Sequence, residues 1–378
     1  MKLLHLVSSS GYYGVEAVVV NLCMGLTALG TFSTVGVFDN SRCSNLEVAK
    51  VARQKGLSVA ILSCRGRADW TTVRRIADLA RLAEADFIHA HGYKAQVYGY
   101  LASKLHPIRL VATYHGYSSR FSGEGRATLA DLRHQLYDAM DLALLRRFDR
   151  IVAPSRMLER SLLSAGIARE KLTVIGNGIE LEGFSRAAPS ADLSRLKSGG
   201  LAIGVVARLT EGKGHGDLFL AVKGILAEYP LTQVFVIGDG PLRLPLEALA
   251  RELGIERSVI FTGKRSDMAS VYAALDVVVL PSLFEGMPMV ILEALAARKP
   301  VIATRVGAVP GVIRELSTGL LIEPGDSREL QRAIKRLIVD DGLRSTLAEN
   351  GYEQMRAQYS AAGMAGNYQR VYESALRR

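Results

Sequence analysis

Short apolar runs alternate with longer stretches of helical period along most of this chain. In the first half the runs Leu3–Val7, Val35–Phe38, Val59–Leu62, Phe87–Ala90, Leu110–Thr113 and Ile151–Ala153 have strand length. Between them, Val15–Leu29, Trp70–Ala83 and Leu129–Arg147 repeat apolar positions at helical spacing. Strands that alternate with helices of this length predict βαβ units and a parallel sheet. The pattern breaks from Asn177 to Gly200, where Pro189, several serines and a Gly-Gly pair replace any apolar period. That stretch reads as a linker. The alternation then restarts with Leu201–Ala207, Val234–Ile237, Val259–Thr262, Val277–Leu280 and Val301–Thr304.

The expected architecture is therefore α/β: two Rossmann-like domains, over 1–185 and 200–360, with facing parallel sheets and a cleft between them. The amphipathic segment Met364–Leu376 predicts a last helix, within 361–378, that packs back on the first domain. Open α/β sheets bind ligands outside the carboxyl ends of their strands, so chemistry is expected in the loops that follow them.

Composition changes this picture little. A chain of 378 residues exceeds what one core usually supports, and 49% hydrophobic with 22% charged residues excludes a disordered or fibrous protein. Cys23, Cys43 and Cys64 are odd in number and lack metal-ligand spacing, as expected of thiols in a reducing compartment. The run Met1–Val7 is too short for a signal peptide, and no segment supplies about 18 uninterrupted apolar residues. A cytoplasmic location is expected.

Charge adds one hint. Of the net +10, residues 1–180 carry 23 Lys and Arg against 15 Asp and Glu, while the remainder carries 24 against 22. A basic first half suits an anionic partner such as a phosphorylated substrate or a membrane surface, and equally suits plain solubility. Arg65, Arg67, Arg74, Arg75 and Arg81 surround Trp70, so this helix could lie on an anionic membrane surface or simply be solvated. The basic residues are spread over several helices without a recognised nucleic-acid motif, so no nucleic-acid partner is expected.

The most informative stretch is Leu280-Pro281-Ser282-Leu283-Phe284-Glu285-Gly286-Met287-Pro288, followed by a helix that carries Glu293. A strand ends, a turn holds a carboxylate, and a proline opens the next helix. Carboxylates accept from vicinal diols, and helix-start amides suit phosphate oxygens. Two carboxylates eight residues apart, about 10 Å if mostly helical, are wide for an acid–base pair on one bond. The plain alternative is a helix-start charge and a solvated one.

Earlier in the second domain, Ala207-Arg208-Leu209-Thr210-Glu211-Gly212-Lys213-Gly214 places two cations on a Gly-rich strand-to-helix loop. Arg by a planar fork and Lys by a compact charge fit a diphosphate, and they stabilise the charge that grows on it as a sugar–phosphate bond breaks.

Arg208, Lys213 and the Glu285-x7-Glu293 spacing resemble glycosyltransferase family 4, the retaining enzymes of GT-B fold. The likeness runs through Gly14-Val15-Glu16, Tyr114-His115-Gly116, Ala153-Pro154-Ser155, Asn177-Gly178-Ile179-Glu180, Gly238-Asp239-Gly240 and Asp276 before Pro281-Ser282. It implies that Arg208 and Lys213 hold the donor diphosphate, Glu293 the ribose, and Glu285 the transferred sugar, with Gly286 and Met287 offering amides. It implies Arg265 near the nucleobase, Gly14 where phosphate or acceptor approaches the backbone, and His115 over the sugar.

The resemblance further implies a nucleotide-sugar donor, read as UDP-linked, a saccharide or lipid-linked saccharide acceptor, and no other cofactor. No metal ligands are assigned, since the cationic pair makes a divalent ion unnecessary and no Asp-x-Asp motif is present, which leaves metal dependence open. Tyr13-Gly14 departs from the family's two glycines, and Ala297-Arg298-Lys299-Pro300 carries charge where a glycine is common. Rival readings are a catalytically silent sugar-nucleotide scaffold, a sugar-nucleotide epimerase, and a phosphorylase. His89 and His91, two apart on one strand, read as structural, since no further metal ligands stand at helpful spacing.

Overall fold

A computed structural model describes residues 1–8, 14–40, 46–65, 69–116 and 139–377. The chain forms two compact units, Met1–Gly178 with Ala361–Arg378, and Ile179–Ser360.

The first unit is built on seven parallel strands: β1 (Lys2–Val7), β2 (Phe32–Asn40), β3 (Ser58–Cys64), β4 (Phe87–His91), β5 (Arg109–Thr113), β6 (Arg150–Ala153) and β7 (Leu172–Val174). Their order is β3-β2-β1-β4-β5-β6-β7, so the direction of winding reverses between β1 and β4. Helices α1 (Gly14–Ala28), α2 (Glu47–Gln54), α3 (Trp70–Leu82), α4 (Tyr93–Leu105), α5 (139–145) and α6 (Arg156–Ser164) connect them. Because such a sheet is covered on both faces, its strands are apolar at successive positions. Leu4 and Leu6 pack with Val73 and Ile76 of α3 and Tyr98 of α4. Val7, Val35 and Val37 pack on the opposite face with Val19 and Cys23 of α1 and Val48 of α2.

The C-terminal helix, Ala361–Leu376, packs on α1 in this unit. A Cβ on Gly25 would stand 2.7 Å from that of Ala365, so only glycine allows the two helices this close. The buried Tyr368 and Tyr372 carry the helix onto the sheet.

The second unit opens with α7 (Glu182–Ser185) and α8 (Ala191–Leu196). Its strands are β8 (Ala202–Val206), β9 (Gln233–Ile237), β10 (Val259–Gly263), β11 (Val277–Leu280), β12 (Val301–Thr304) and β13 (Leu320–Ile322), ordered β10-β9-β8-β11-β12-β13. The remaining helices are α9 (His215–Leu226), α10 (Arg243–Glu252), α11 (Met268–Ala274), α12 (Met289–Ala296), α13 (Val309–Val312), α14 (Ser327–Val339) and α15 (Asp341–Gln358). The winding reverses between β8 and β11, which marks this unit's switch point.

Two differences from the sequence reading have physical causes. The stretch Asn177–Gly200 is not an open linker, because α7 and α8 fold onto the second unit; helices of four and six residues are too short to show a period. Strands β7 and β13, three residues each, are likewise too short to stand out. Of the helix expected over Leu129–Arg147, residues 129–138 lie outside the described residues, as do Tyr13, Cys43 and Arg67, and 139–145 are helical. Among the described residues no helix is long and apolar enough to cross a membrane.

Candidate active site

The loops after β8 and β11 flank the switch point of the second unit, and they carry the two cations and the first carboxylate. Leu209 is fully buried and pins the β8 loop, its N–H donating to Asp239 O at 3.0 Å and its carbonyl accepting from Leu242 N–H at 3.0 Å. Arg208 beside it is exposed. At the end of the loop Gly214 has φ +69° and caps α9. A Cβ there would lie 1.8 Å from Pro281 O, so the β8 loop crosses the β11 loop at backbone contact. Leu283 N–H donates to Gly212 O at 2.8 Å and closes the crossing.

That crossing sets Lys213 against Glu285. The ammonium donates to Glu285 Oε1 at 2.7 Å, and the two side chains retain 23% and 11% of their exposure. Ser282, fully buried, donates its hydroxyl to the same oxygen at 2.8 Å. Glu285 is thus fixed from two sides through one carboxylate oxygen. The β12 loop supports the turn from beneath. Ala308 N–H donates to Gly286 O at 3.1 Å, and Gly307, at φ +57°, leaves no space for a Cβ, which would stand 1.8 Å from Glu285 O. Gly286 and Met287 follow, half-buried, ahead of α12.

Glu293 is the fifth residue of α12 and half-buried. Its Oε2 accepts from the hydroxyl of Tyr272, a fully buried residue of α11, at 2.8 Å. Burial raises the Glu293 carboxyl above the usual range, and the tyrosine bond works against that rise. Phe184 of α7 packs on the Tyr272 ring at 6.0 Å between centroids. Residues expected to be linker therefore brace this carboxylate.

Arg265 is clamped rather than open. It bonds Asp267 at 2.6 and 2.8 Å, Asp192 of α8 at 2.5 and 3.2 Å, and Ser190 Oγ at 3.0 Å. The guanidinium lowers both carboxyls, holding that of Asp192 well below its ordinary value. Its fork is committed to these carboxylates, and it ties α8 to the loop after β10.

In the first unit, Gly14 begins α1 after β1, and His115 follows β5. Beneath His115 lies a group of histidines that sequence spacing did not reveal. His5 of β1 and His89 of β4 are register partners on adjacent strands, and His91 follows on the same face. Parallel pairing joins residues 84 apart, which no local spacing reports. His91 Nδ1 lies 3.4 Å from His115 Nε2, and His91 Nε2 lies 3.3 Å from His5 Nδ1. His89 bonds the Tyr372 hydroxyl at 2.7 Å and the Thr113 hydroxyl at 2.8 Å, and Thr113 bonds Tyr368 at 2.9 Å.

Nitrogens of His5, His89 and His91 lie within 4.8 Å of one another, so the third partner missing from the sequence does exist. Both His89 nitrogens are occupied by hydroxyls, however, and a metal would have to displace one. Burial depresses all of these imidazoles, His5 to about 3 and His115 to about 4, with His89 and His91 well below normal. They are neutral at physiological pH.

Comparison with known proteins shows the family and the fold. Residues 12–182 match the family model described as Glycosyltransferase Family 4, and residues 192–354 the one described as Glycosyl transferases group 1. D-inositol 3-phosphate glycosyltransferase of Corynebacterium urealyticum is 31% identical over 310 residues, 76% of this chain and 71% of that protein. The 2-deoxystreptamine glucosyltransferase of Streptomyces kanamyceticus is 29% identical over 78% of this chain and 79% of its own length. Among solved structures, Anabaena HepE in complex with UDP-glucose covers 100% of both chains with a TM-score of 0.82 at 24% identity, which establishes the fold. The chain belongs to glycosyltransferase family 4, the group 1 glycosyltransferases, with the GT-B fold of two Rossmann-like units.

Proposed function

We propose that this protein transfers a hexose-type sugar from a UDP-linked donor to a hydroxyl of a surface-glycan or lipid-linked saccharide acceptor, with retained anomeric configuration. The observation that carries this reading is the Lys213–Glu285 pair at the switch point of the second unit, with Arg208 on the same loop and Glu293 on the helix behind. A cation pair suits the donor diphosphate. Glu293, held by Tyr272 through one oxygen, has its other oxygen for a ribose hydroxyl. The complexes of HepE with UDP and with UDP-glucose support a uridine donor.

In the reaction the C1–O bond to the diphosphate breaks, and a bond from the acceptor oxygen to C1 forms on the same face. The acceptor proton passes to the leaving phosphate oxygen, so no protein base is required. Lys213 and Arg208 stabilise the charge that develops on the diphosphate. Glu285 is shared between Lys213 and the transferred sugar, and donor binding redistributes that contact. The roles of Gly14, His115, Gly286, Met287 and Arg265 toward donor or sugar rest on the family resemblance. The proposed place of action is the cytoplasmic membrane face, supported by exposed Trp70, Arg74 and Arg75 on α3.

Thermal-shift titration with UDP, GDP, ADP and their sugar conjugates tests the donor site. A ligand at about 100 times its Kd stabilises the folded state by roughly 2.7 kcal/mol. A shift with uridine nucleotides that Arg208→Ala abolishes supports the reading. No shift with any nucleotide refutes it.

A further inference from the structure

The histidines beneath His115 form a directional chain. A neutral imidazole carries one N–H and one lone pair, so each ring that donates through one nitrogen must accept through the other. In the series His5–His91–His115 the protons therefore all sit on the same side of their rings. Two polarities exist, and they differ at the buried end. His5 Nε2 is enclosed and has no partner among the described residues. An N–H without an acceptor is the rarer defect in protein interiors, which selects the polarity that leaves a lone pair there. His5 Nδ1–H then donates to His91 Nε2, and His91 Nδ1–H donates to His115 Nε2, across 3.3 and 3.4 Å.

The rings are held for this. His5 lies nearly parallel to His91 (interplanar angle 19°), and His91 is inclined by 31° to His115. His89 packs on His91 at 4.1 Å between centroids and is itself fixed by Tyr372 and Thr113. The C-terminal helix thus locks the flank of the chain through Tyr372, and Tyr368 fixes Thr113.

We propose that His91, backed by His5, is a positioning residue that holds His115 in its Nδ1–H tautomer, so that His115 offers a substrate a hydrogen-bond donor and not a base. The inference rests on the reading of His115 as a substrate-facing residue only for its catalytic consequence; the tautomer itself is a property of the first unit. A donor at this place can bind a sugar hydroxyl or a phosphate oxygen. It cannot take the acceptor proton, which fits transfer to the leaving phosphate.

The test is long-range ¹H–¹⁵N NMR on full-length protein with ¹⁵N-labelled histidine, the His115 signals assigned by their loss in His115→Asn. The wild type should show His115 protonated at Nδ1. His91→Leu should move it toward the Nε2–H form. His91→Asn, whose amide nitrogen can occupy the place of Nδ1, should restore the wild-type form.

Kinetics give the second readout: His91→Leu should lower kcat about tenfold with donor KM within twofold, and His91→Asn should recover most of that loss. An Nε2–H His115 in the wild type, or an unchanged tautomer in His91→Leu, overturns the proposal. Cobalt(II) binding with visible absorption that His5→Leu abolishes also overturns it, because the nitrogens would then be metal ligands. If wild-type protein proves inactive with every nucleotide sugar, the functional reading fails while the NMR result still decides the tautomer. Thermal melts of each variant show whether it has folded.

Discussion

Lowering the pH should unfold the first unit well before carboxylates begin to titrate. Its histidines His5, His89 and His91 are at most 2% exposed, and burial pulls each below its normal value, His5 to about 3. In the unfolded chain the same imidazoles titrate near 6.5. The folded state therefore binds fewer protons than the unfolded one between these values. Stability is full above about pH 6.5 and is lost as pH falls toward the folded pKa values. At pH 5.5 each neutral imidazole costs about 1.4 kcal/mol relative to the unfolded chain, so these three together with His115, lowered to about 4 by burial, remove about 6 kcal/mol. Below that, the slope approaches four protons, about 5 kcal/mol per pH unit. By pH 5 the loss reaches about 8 kcal/mol, enough to unfold a domain in the lower half of the ordinary range of about 5–15 kcal/mol. In the second unit, buried His215 is lowered to about 4 by burial and by the Lys213 charge, and it adds a single proton.

The assay is urea unfolding followed by circular dichroism at half-unit steps from pH 8 to 5. The first unit should show a midpoint that falls steeply below pH 6.5, and His5→Asn should reduce the slope by about one proton. A change of less than about 1 kcal/mol between pH 7.5 and 5.5 would refute the argument, because it would mean that the imidazoles are solvated or already charged when folded.

The second unit supports further tests. Lys213→Ala should lower kcat about 10²–10³-fold, since it removes a fixed cation from the leaving diphosphate, and steady-state transfer assays check this. Tyr272→Phe should raise donor KM about tenfold with kcat within twofold, because the lost bond orients Glu293 alone; unchanged KM would mean that Glu293 is not a donor ligand. Gly214→Ala should destabilise the second unit by about 3 kcal/mol or more, measured by chemical unfolding, since φ is +69° and the Pro281 carbonyl occupies the added methyl's place. Pelleting with anionic but not neutral vesicles at low salt, lost in Arg74→Glu with Arg75→Glu, would establish membrane docking; equal pelleting would remove it.

Much of the fold was legible because short apolar runs and helical segments of period 3.6 are written locally. The strands Val234–Ile237, Val277–Leu280 and Val301–Thr304 were readable from their own residues, and in the structure these strands are buried throughout. Arg208, Lys213 and Glu285 stood out because they lie in the loops that follow β8 and β11, and Glu293 by its spacing from Glu285. The supports were silent for the opposite reason. Tyr272 reads as one more apolar position of a helix, and Ser282 as a turn residue. Gly307 matters only because Glu285 O, 22 residues earlier, passes 1.8 Å from where its Cβ would be.

This difference has a functional sense. The residues proposed to touch substrate follow strand ends, where sequence pattern marks them, but their orientation is set by partners from other elements. Ser282 and Lys213 converge on one oxygen of Glu285, Tyr272 takes one oxygen of Glu293, and His91 meets one nitrogen of His115. In each case the protein occupies one lone pair or N–H of a group that has a second. A side chain held through one atom keeps its rotamer before substrate arrives and needs no reordering as the bond breaks, which is how a fixed environment lowers a barrier. The positions to mutate first are therefore the holders. Changing them should alter kcat or KM separately while the substrate-facing group stays in place.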